Sequence, residues 1–425
     1  MTARPGDRDI EATLETWMDG VAPDRAPGRL LEETFARTMT TSQARTYPWH
    51  HVPRQATGRP WAGSKVLVLV LVALLVVVAL GVGLGAGRGW FAVPITPSPS
   101  PTVSPPAASP SPSYAVFASP SEPSATPVTP EAVVAVNKPI GIAFDGQALW
   151  VLTDDGNLAR IDPATNEVSD TLPLDGAQYL YNGVSAGSNG VWATRWTPGL
   201  VYRVDPATRK ITATTDTDYA KGVLDTTAAV WVANTHAGTV SRIDPATNTI
   251  AATITVGPAG NSGPNWLASG LGSIWVDVPN ASEVVRIDPL TNLIQARITV
   301  TGAPTPCGGL AVGADAVWIS SCDASNWLTR IDPSTNTVVA ILNMGGRGNA
   351  PMYVNGDPWI SVDRGVDPAS IVRIDPATNQ FDRVLSPGEG FRGGGDMAIA
   401  ASSMWILDGA NDRILRLPLS AFDPG

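Results

Sequence analysis

Residues 230–249 read Val-Trp-Val-Ala-Asn-Thr-His-Ala-Gly-Thr-Val-Ser-Arg-Ile-Asp-Pro-Ala-Thr-Asn-Thr, and the chain returns to this sentence seven times. The tryptophans fall at Trp150, Trp192, Trp231, Trp275, Trp318, Trp359 and Trp405, and the arginines at Arg160, Arg203, Arg242, Arg286, Arg330, Arg373 and Arg416, a period of 39 to 46 residues. Each unit alternates β-branched or aromatic residues with polar ones in short runs bounded by turn formers, which predicts four antiparallel strands. A unit of that size cannot bury its own face, so seven in series predict an all-β, seven-bladed β-propeller over 132–425.

Within the unit, Asp-Pro-Ala-Thr-Asn is turn chemistry: Pro presets φ, and Asp and Asn side chains bond nearby amides. The buried Trp and the Ile or Val of the Arg-x-Asp triplet are expected to fill the space between blades. The Arg, two residues from Asp on one strand face, is expected to pair with that Asp. The last unit lacks a fourth strand, and Val133–Val136 resembles the outer strands, so the amino-terminal segment is expected to close the ring.

Outside the repeat, residues 66–87 form an uncharged run of 22, long enough for a helix across a ~30 Å hydrocarbon core. Arg45, Arg54, Arg59 and Lys65 precede it and Arg88 alone follows closely, so the expected topology is single-pass, with residues 1–65 cytoplasmic and the propeller extracytoplasmic. Residues 1–65 carry two short amphipathic patterns, Ile10, Leu14, Trp17 and Met18, then Leu31, Phe35 and Met39, expected as a short helical tail. Residues 88–131 read as a Pro/Ser/Thr-rich stalk, since 92–131 hold 12 Pro and 13 Ser or Thr.

The propeller carries 18 basic and 28 acidic residues with no Lys/Arg run, which argues against nucleic acid as a partner. Neither Cys307 nor Cys322 belongs to a Cys-x-x-Cys pair, and no cluster of histidines accompanies them, so no metal site is expected. A register running through the turn at Gly313–Ala316 sets Cys307 opposite Cys322, and the extracytoplasmic address permits a disulfide between them.

Residues 230–260, from Val-Trp-Val-Ala-Asn to Thr-Val-Gly-Pro-Ala-Gly, resemble the YVTN-type β-propeller repeat, and the likeness runs through 132–425. Proteins of this kind include binding proteins and, more distantly similar, the streptogramin lyases. The lyases would imply a histidine acid/base and magnesium; without that activity no cofactor is implied. His236 is the one histidine of the propeller and the sole catalytic candidate. The main expectation is therefore a membrane-tethered binding module for a small ligand, wall polymer or protein. A streptogramin-lyase-like or lactonase-like enzyme is the alternative, and a single-pass sensor the third reading.

The loops before each first strand and after each second strand vary between repeats, whereas the Asp-Pro-Ala-Thr-Asn edge does not. They carry Tyr179, Tyr181, Arg195, Trp196, Tyr219, Lys221, His236, Trp266, Trp327, Arg347, Arg364 and Arg392, side chains that give contact area with a polar handle. These are the candidate ligand-binding residues. For the cysteines, maleimide labelling of unreduced, denatured protein is expected to find no thiol, and two after reduction; two before reduction would exclude the bond.

Overall fold

The computed structural model describes residues 115–117, 123–174, 181–300, 305–321, 326–365, 368–388, 390–393 and 395–423, all within Ser104–Gly425, the larger of the chain's two compact units. Seven antiparallel blades follow one another. Blade one, Pro139–Phe144, Leu149–Thr153, Asn157–Asp162 and Glu167–Pro173, sets the pattern of four strands running outward from the axis. Blades two to six begin at Tyr181, Ala220, Leu267, Pro306 and Arg347. In blade seven, Met397–Ala400, Ser403–Asp408 and Arg413–Pro418 are completed by Ala132–Ala135, which pairs antiparallel with Arg413–Arg416. The first strand of the propeller thus closes its last blade, as the missing fourth strand predicts, and no open ring edge remains there.

The seven tryptophans are 0–1 % exposed, each on a second strand facing the adjacent blade. Burying 150–250 Å² apiece contributes roughly 4–6 kcal/mol of transfer free energy at ~25 cal/mol per Å². The third-strand arginine lies directly across the ladder from the tryptophan, as in Trp192 with Arg203 and Trp275 with Arg286. Its guanidinium sits 4.8 to 5.9 Å from the indole centroid in five blades.

The expected pairing of that arginine with the Asp two residues on is not what forms. The Asp is consumed by its own turn: Asp205 and Asp244 each accept the amide of the residue two ahead at 2.8 Å. The arginine reaches instead to the next blade. Arg203 Nη1 donates to Pro245 O at 2.6 Å and Asn248 Oδ1 at 2.9 Å; Arg286 does the same to Pro333 and Asn336, and Arg330 to Pro376 and Asn379. Arg416 reaches Pro163 and Asn166 across the closure. The Asn accepts because it stands in the left-handed region, at φ 62° for Asn166 and 59° for Asn248, conformations Asn tolerates better than most residues.

The stalk assignment needs correction at its end. Ala115–Phe117 pairs in parallel with Ala340–Leu342 of blade five, and Thr126–Pro127 with Leu385–Ser386 of blade six. Val128 enters the core of blades six and seven. The average composition of 92–131 conceals the Ala-Val-Phe triplet, which has the β-propensity to take an open outer edge. The tail 1–65, the span 66–87 and the first part of the stalk lie outside the described residues; among the described residues no helix is long and apolar enough to cross a membrane.

The cysteine register also shifts. Leu310 faces Ile319, but Pro306 faces Ser321, so a bulge separates Cys307 from the regular ladder. Cys307 is buried and disulfide-bonded, while Cys322 lies outside the described residues, so the pairing itself is not seen among them.

Arg416→Met should remove two charge-assisted bonds across the ring closure together with the contacts to Ser403 and Glu131, costing at least about 1.5–3 kcal/mol, whereas Arg160→Met should cost less. Arg160 faces a turn in which Arg209 replaces the accepting Asn, and its guanidinium bonds Ser169 in its own blade. Equal melting-temperature losses for the two variants would refute the inter-blade staple.

Candidate functional site

Nine residues before each repeat tryptophan the chain places Gly141, Gly183, Gly222 and Gly309, and Ala350 in blade six. These positions open the innermost strands, where the blades crowd around the axis. A Cβ on Gly183 would stand 2.7 Å from Lys221 O, and one on Gly222 2.5 Å from Asn265 O. Two blades break the rule, with Trp266 and Asp396. Both side chains line a cavity of about 220 Å³ at the axis, closed by Ile142 of blade one, Gly308–Leu310 of blade five and Asn349–Met352 of blade six.

Asp396 accepts Asn349 Nδ2 at 2.9 Å. Burial pushes its pKa up to about 6, against the lowering effect of that hydrogen bond. Trp266 is held at both ends: its indole N–H donates to Cys307 O at 3.0 Å, and its amide to Asp277 Oδ1 at 2.5 Å. Asp277 is fully buried at the end of its strand, and burial pushes its pKa to about 7. Its Oδ2 has no hydrogen-bond partner. Lys221 sits 5.5 Å from the Trp266 ring centroid, its pKa lowered by burial and supported by the Asp277 charge. Asp396 is thus the titratable side chain of the cavity lining, while Asp277 and Lys221 hold Trp266 from behind that lining.

The sequence-predicted residues divide into separate groups. Trp266 lines the cavity, and Lys221 stands against its ring without entering the lining. Trp196, Tyr219 and His236 form an aromatic group outside the cavity lining, Trp196 edge-on to Tyr219 with centroids 5.5 Å apart and Tyr219 tilted against His236 at 4.9 Å. His236 is exposed on the rim, Nδ1 3.5 Å from Asp218 Oδ2, and does not line the cavity. Arg195 ends a second strand. Arg347 pairs across the ladder with Asp363, Arg364 donates to Ser370, and the Arg392 amide donates to Asp408. Trp327 begins a third strand with its amide on Ser321 Oγ. These do not meet the cavity. Tyr179 and the Tyr181 side chain lie outside the described residues.

Asp277, Asn349 and the role of Asp396 escape a reading by residue type alone. The signal is positional: two residues after the tryptophan stand Leu152, Thr194, Ala233, Ser320, Ser361 and Leu407, and only blade four has a carboxylate there, Asp277. Among the described residues no group of three or more His, Cys, Asp or Glu is placed to hold a metal ion.

A family model described as glutamine cyclotransferase matches residues 140–308. That stretch begins in the first strand of blade one and ends in the first strand of blade five, and it contains Lys221, Trp266 and Asp277. The hydrazine synthase of Kuenenia stuttgartiensis is similar in structure, with a TM-score of 0.56 at 11 % identity over 68 % of this chain and 97 % of that one, a likeness of fold alone. No curated protein matches. The findings support a seven-bladed propeller; they do not single out the YVTN repeat family. They also overturn the expectation of a pure binding module, since the matching family is one of enzymes, and they point away from the streptogramin lyases.

Because Asp277 binds its proton more tightly folded than unfolded, its contribution to stability is full below about pH 4 and is lost as pH rises toward 7. Asp396 acts in the same sense up to about 6. Asp277→Asn should therefore flatten the fall in melting temperature between pH 4 and 7 and raise it at pH 8 by roughly 2–5 °C. A variant that loses stability at pH 8 would show that the ionised carboxylate is needed.

Proposed function

We propose that the propeller is an enzyme that cyclises an amino-terminal glutaminyl group with loss of ammonia, working in the axial cavity with Asp396 as proton carrier. The supporting observation is a coincidence of place: Ile142, Trp266, Leu267 and Gly308 of the stretch similar to glutamine cyclotransferases line the same cavity as Asp396. Cyclisation of glutamine onto itself requires a free α-amine, so the substrate is a chain terminus, and a cavity of about 220 Å³ admits one residue rather than a folded segment.

In this reaction the α-amino nitrogen attacks the side-chain amide carbon, the amide C–N bond breaks, and ammonia leaves. One proton moves from the attacking nitrogen to the departing one. A carboxylate with a pKa of about 6 is ionised at neutral pH yet basic enough to accept that proton and return it. Asn349 fixes the carboxylate, and Trp266 with Leu267, Leu310 and Met352 supplies an apolar wall that keeps bulk water from competing. Lys221 stands 5.5 Å from the Trp266 ring centroid and steadies that wall of the cavity through the indole face.

The uncharged run 66–87 and its basic flank support a membrane-held form with the propeller outside the cytoplasm.

With an amino-terminal glutaminyl peptide as substrate, ammonia release should follow enzyme concentration, and kcat should rise with pH through about 6. Asp396→Asn, which keeps a hydrogen-bonding amide at the site, should lower kcat by roughly 10²–10⁴ with a melting temperature at neutral pH no lower than that of the wild type. Wild-type protein that releases no ammonia would refute the assignment of substrate; a variant of unchanged kcat would refute the role of Asp396.

A further inference from the structure

The inter-blade staple can be followed around the ring, and one seam stands apart. Arg416, Arg203, Arg286 and Arg330 each meet the Pro carbonyl and Asn side chain of the next blade. Arg160 faces Arg209 where the Asn would be. Arg373 faces blade seven, which has no such turn, and takes Asp357 and Asp382. Between blades three and four both halves are present, Arg242 and the turn Asp288–Asn292, yet they do not join. Arg242 has no hydrogen bond or ion pair among the described residues, its Nε is buried without an acceptor, and Asn292 Oδ1 is buried without a donor.

Arg242 lines a cavity of about 780 Å³ on the turn side of the ring, bounded by the hairpin turns between first and second strands at 187–188, 225–228 and 269–273 and by Pro289 and Leu290. This is the end of the strands away from Asp396. Leu290 is 89 % exposed at its edge, in a position where other blades carry Ala or Ser.

We propose that this seam is a binding site for a small monocarboxylate with an apolar body, whose carboxylate takes the place of the missing staple on Arg242. In four other seams the same guanidinium binds two oxygens side by side, and a carboxylate presents such a pair in one plane. Ile274, Pro289 and Leu290 offer the apolar wall. The other charged residue of the lining, Asp225, has its oxygens engaged by Asn189 at 2.7 and 3.1 Å. Its presence disfavours multiply charged anions, which selects a single carboxylate over phosphate. The site is independent of the proposed cyclisation, so either can fail without the other.

The test uses the described protein and benzoate, with benzamide and sulfate as controls. Benzoate should raise the melting temperature saturably, by roughly 2–4 °C at a hundredfold excess over Kd, and isothermal titration should give one site per chain. Benzamide, of the same shape without the charge, and sulfate should not reproduce it. Arg242→Gln should abolish the shift while lowering the unliganded melting temperature less than Arg286→Gln does, since only the contact with the Trp231 ring is lost. Leu290→Asp, at an exposed position, should weaken binding at least tenfold without relying on Arg242, and Arg286→Gln should lower stability but keep benzoate binding. No saturable binding to the wild type, equal binding to Arg242→Gln, or an equal effect of benzamide would each overturn the proposal.

Discussion

The arginine that crosses from one blade to the turn of the next is the interaction on which the ring depends. Tryptophan burial supplies most of the favourable free energy between blades, but it is non-directional and would tolerate sliding. The guanidinium adds direction. It lies against the indole of its own blade and grips two oxygens of a neighbour, so Trp, Arg and the left-handed Asn are read together as one joint. Repeated from blade seven to blade one through Arg416, the same joint ties the last repeat to the first, beside the strand Ala132–Ala135 that closes the sheet.

Most of that architecture was legible in the sequence because repetition averages out accident. Trp150 through Trp405 recur at one place in each unit, and turn chemistry recurs at another, so strand number, blade number and closure follow from spacing. The arginine's partner was misread because spacing along a strand suggests a local pair with Asp. It cannot show that two backbone amides have already claimed that carboxylate. The edge strand Ala115–Phe117 was missed for the opposite reason, since a three-residue signal disappears in a proline-rich average.

The candidate site was half legible. Lys221 and Trp266 were found as unusual residue types on variable loops, and the aromatic group Trp196, Tyr219 and His236 was found the same way. Asp277 and the role of Asp396 were not, because a carboxylate in a loop-rich acidic protein is ordinarily solvated. Their meaning is visible only against the register of the repeat: Asp396 stands where glycine lets the inner strands approach, and Asp277 where other blades use a small or apolar residue. A single histidine drew attention to His236, which the structure leaves on the rim.

The same logic joins the two ends of the ring. A propeller built from a conserved joint spends its variation where the joint is absent or the packing rule is broken, and here those places are few. Trp266 and Asp396 break the glycine rule and open into the axial cavity; Arg242 and Asn292 leave their joint unmade, and Arg242 borders the seam cavity. At the seam the buried Arg242 Nε and Asn292 Oδ1 are left without partners, at a cost in stability that a purely structural repeat has no reason to bear. Departures from the repeat, rather than the repeat itself, therefore carry the chemical information in this chain.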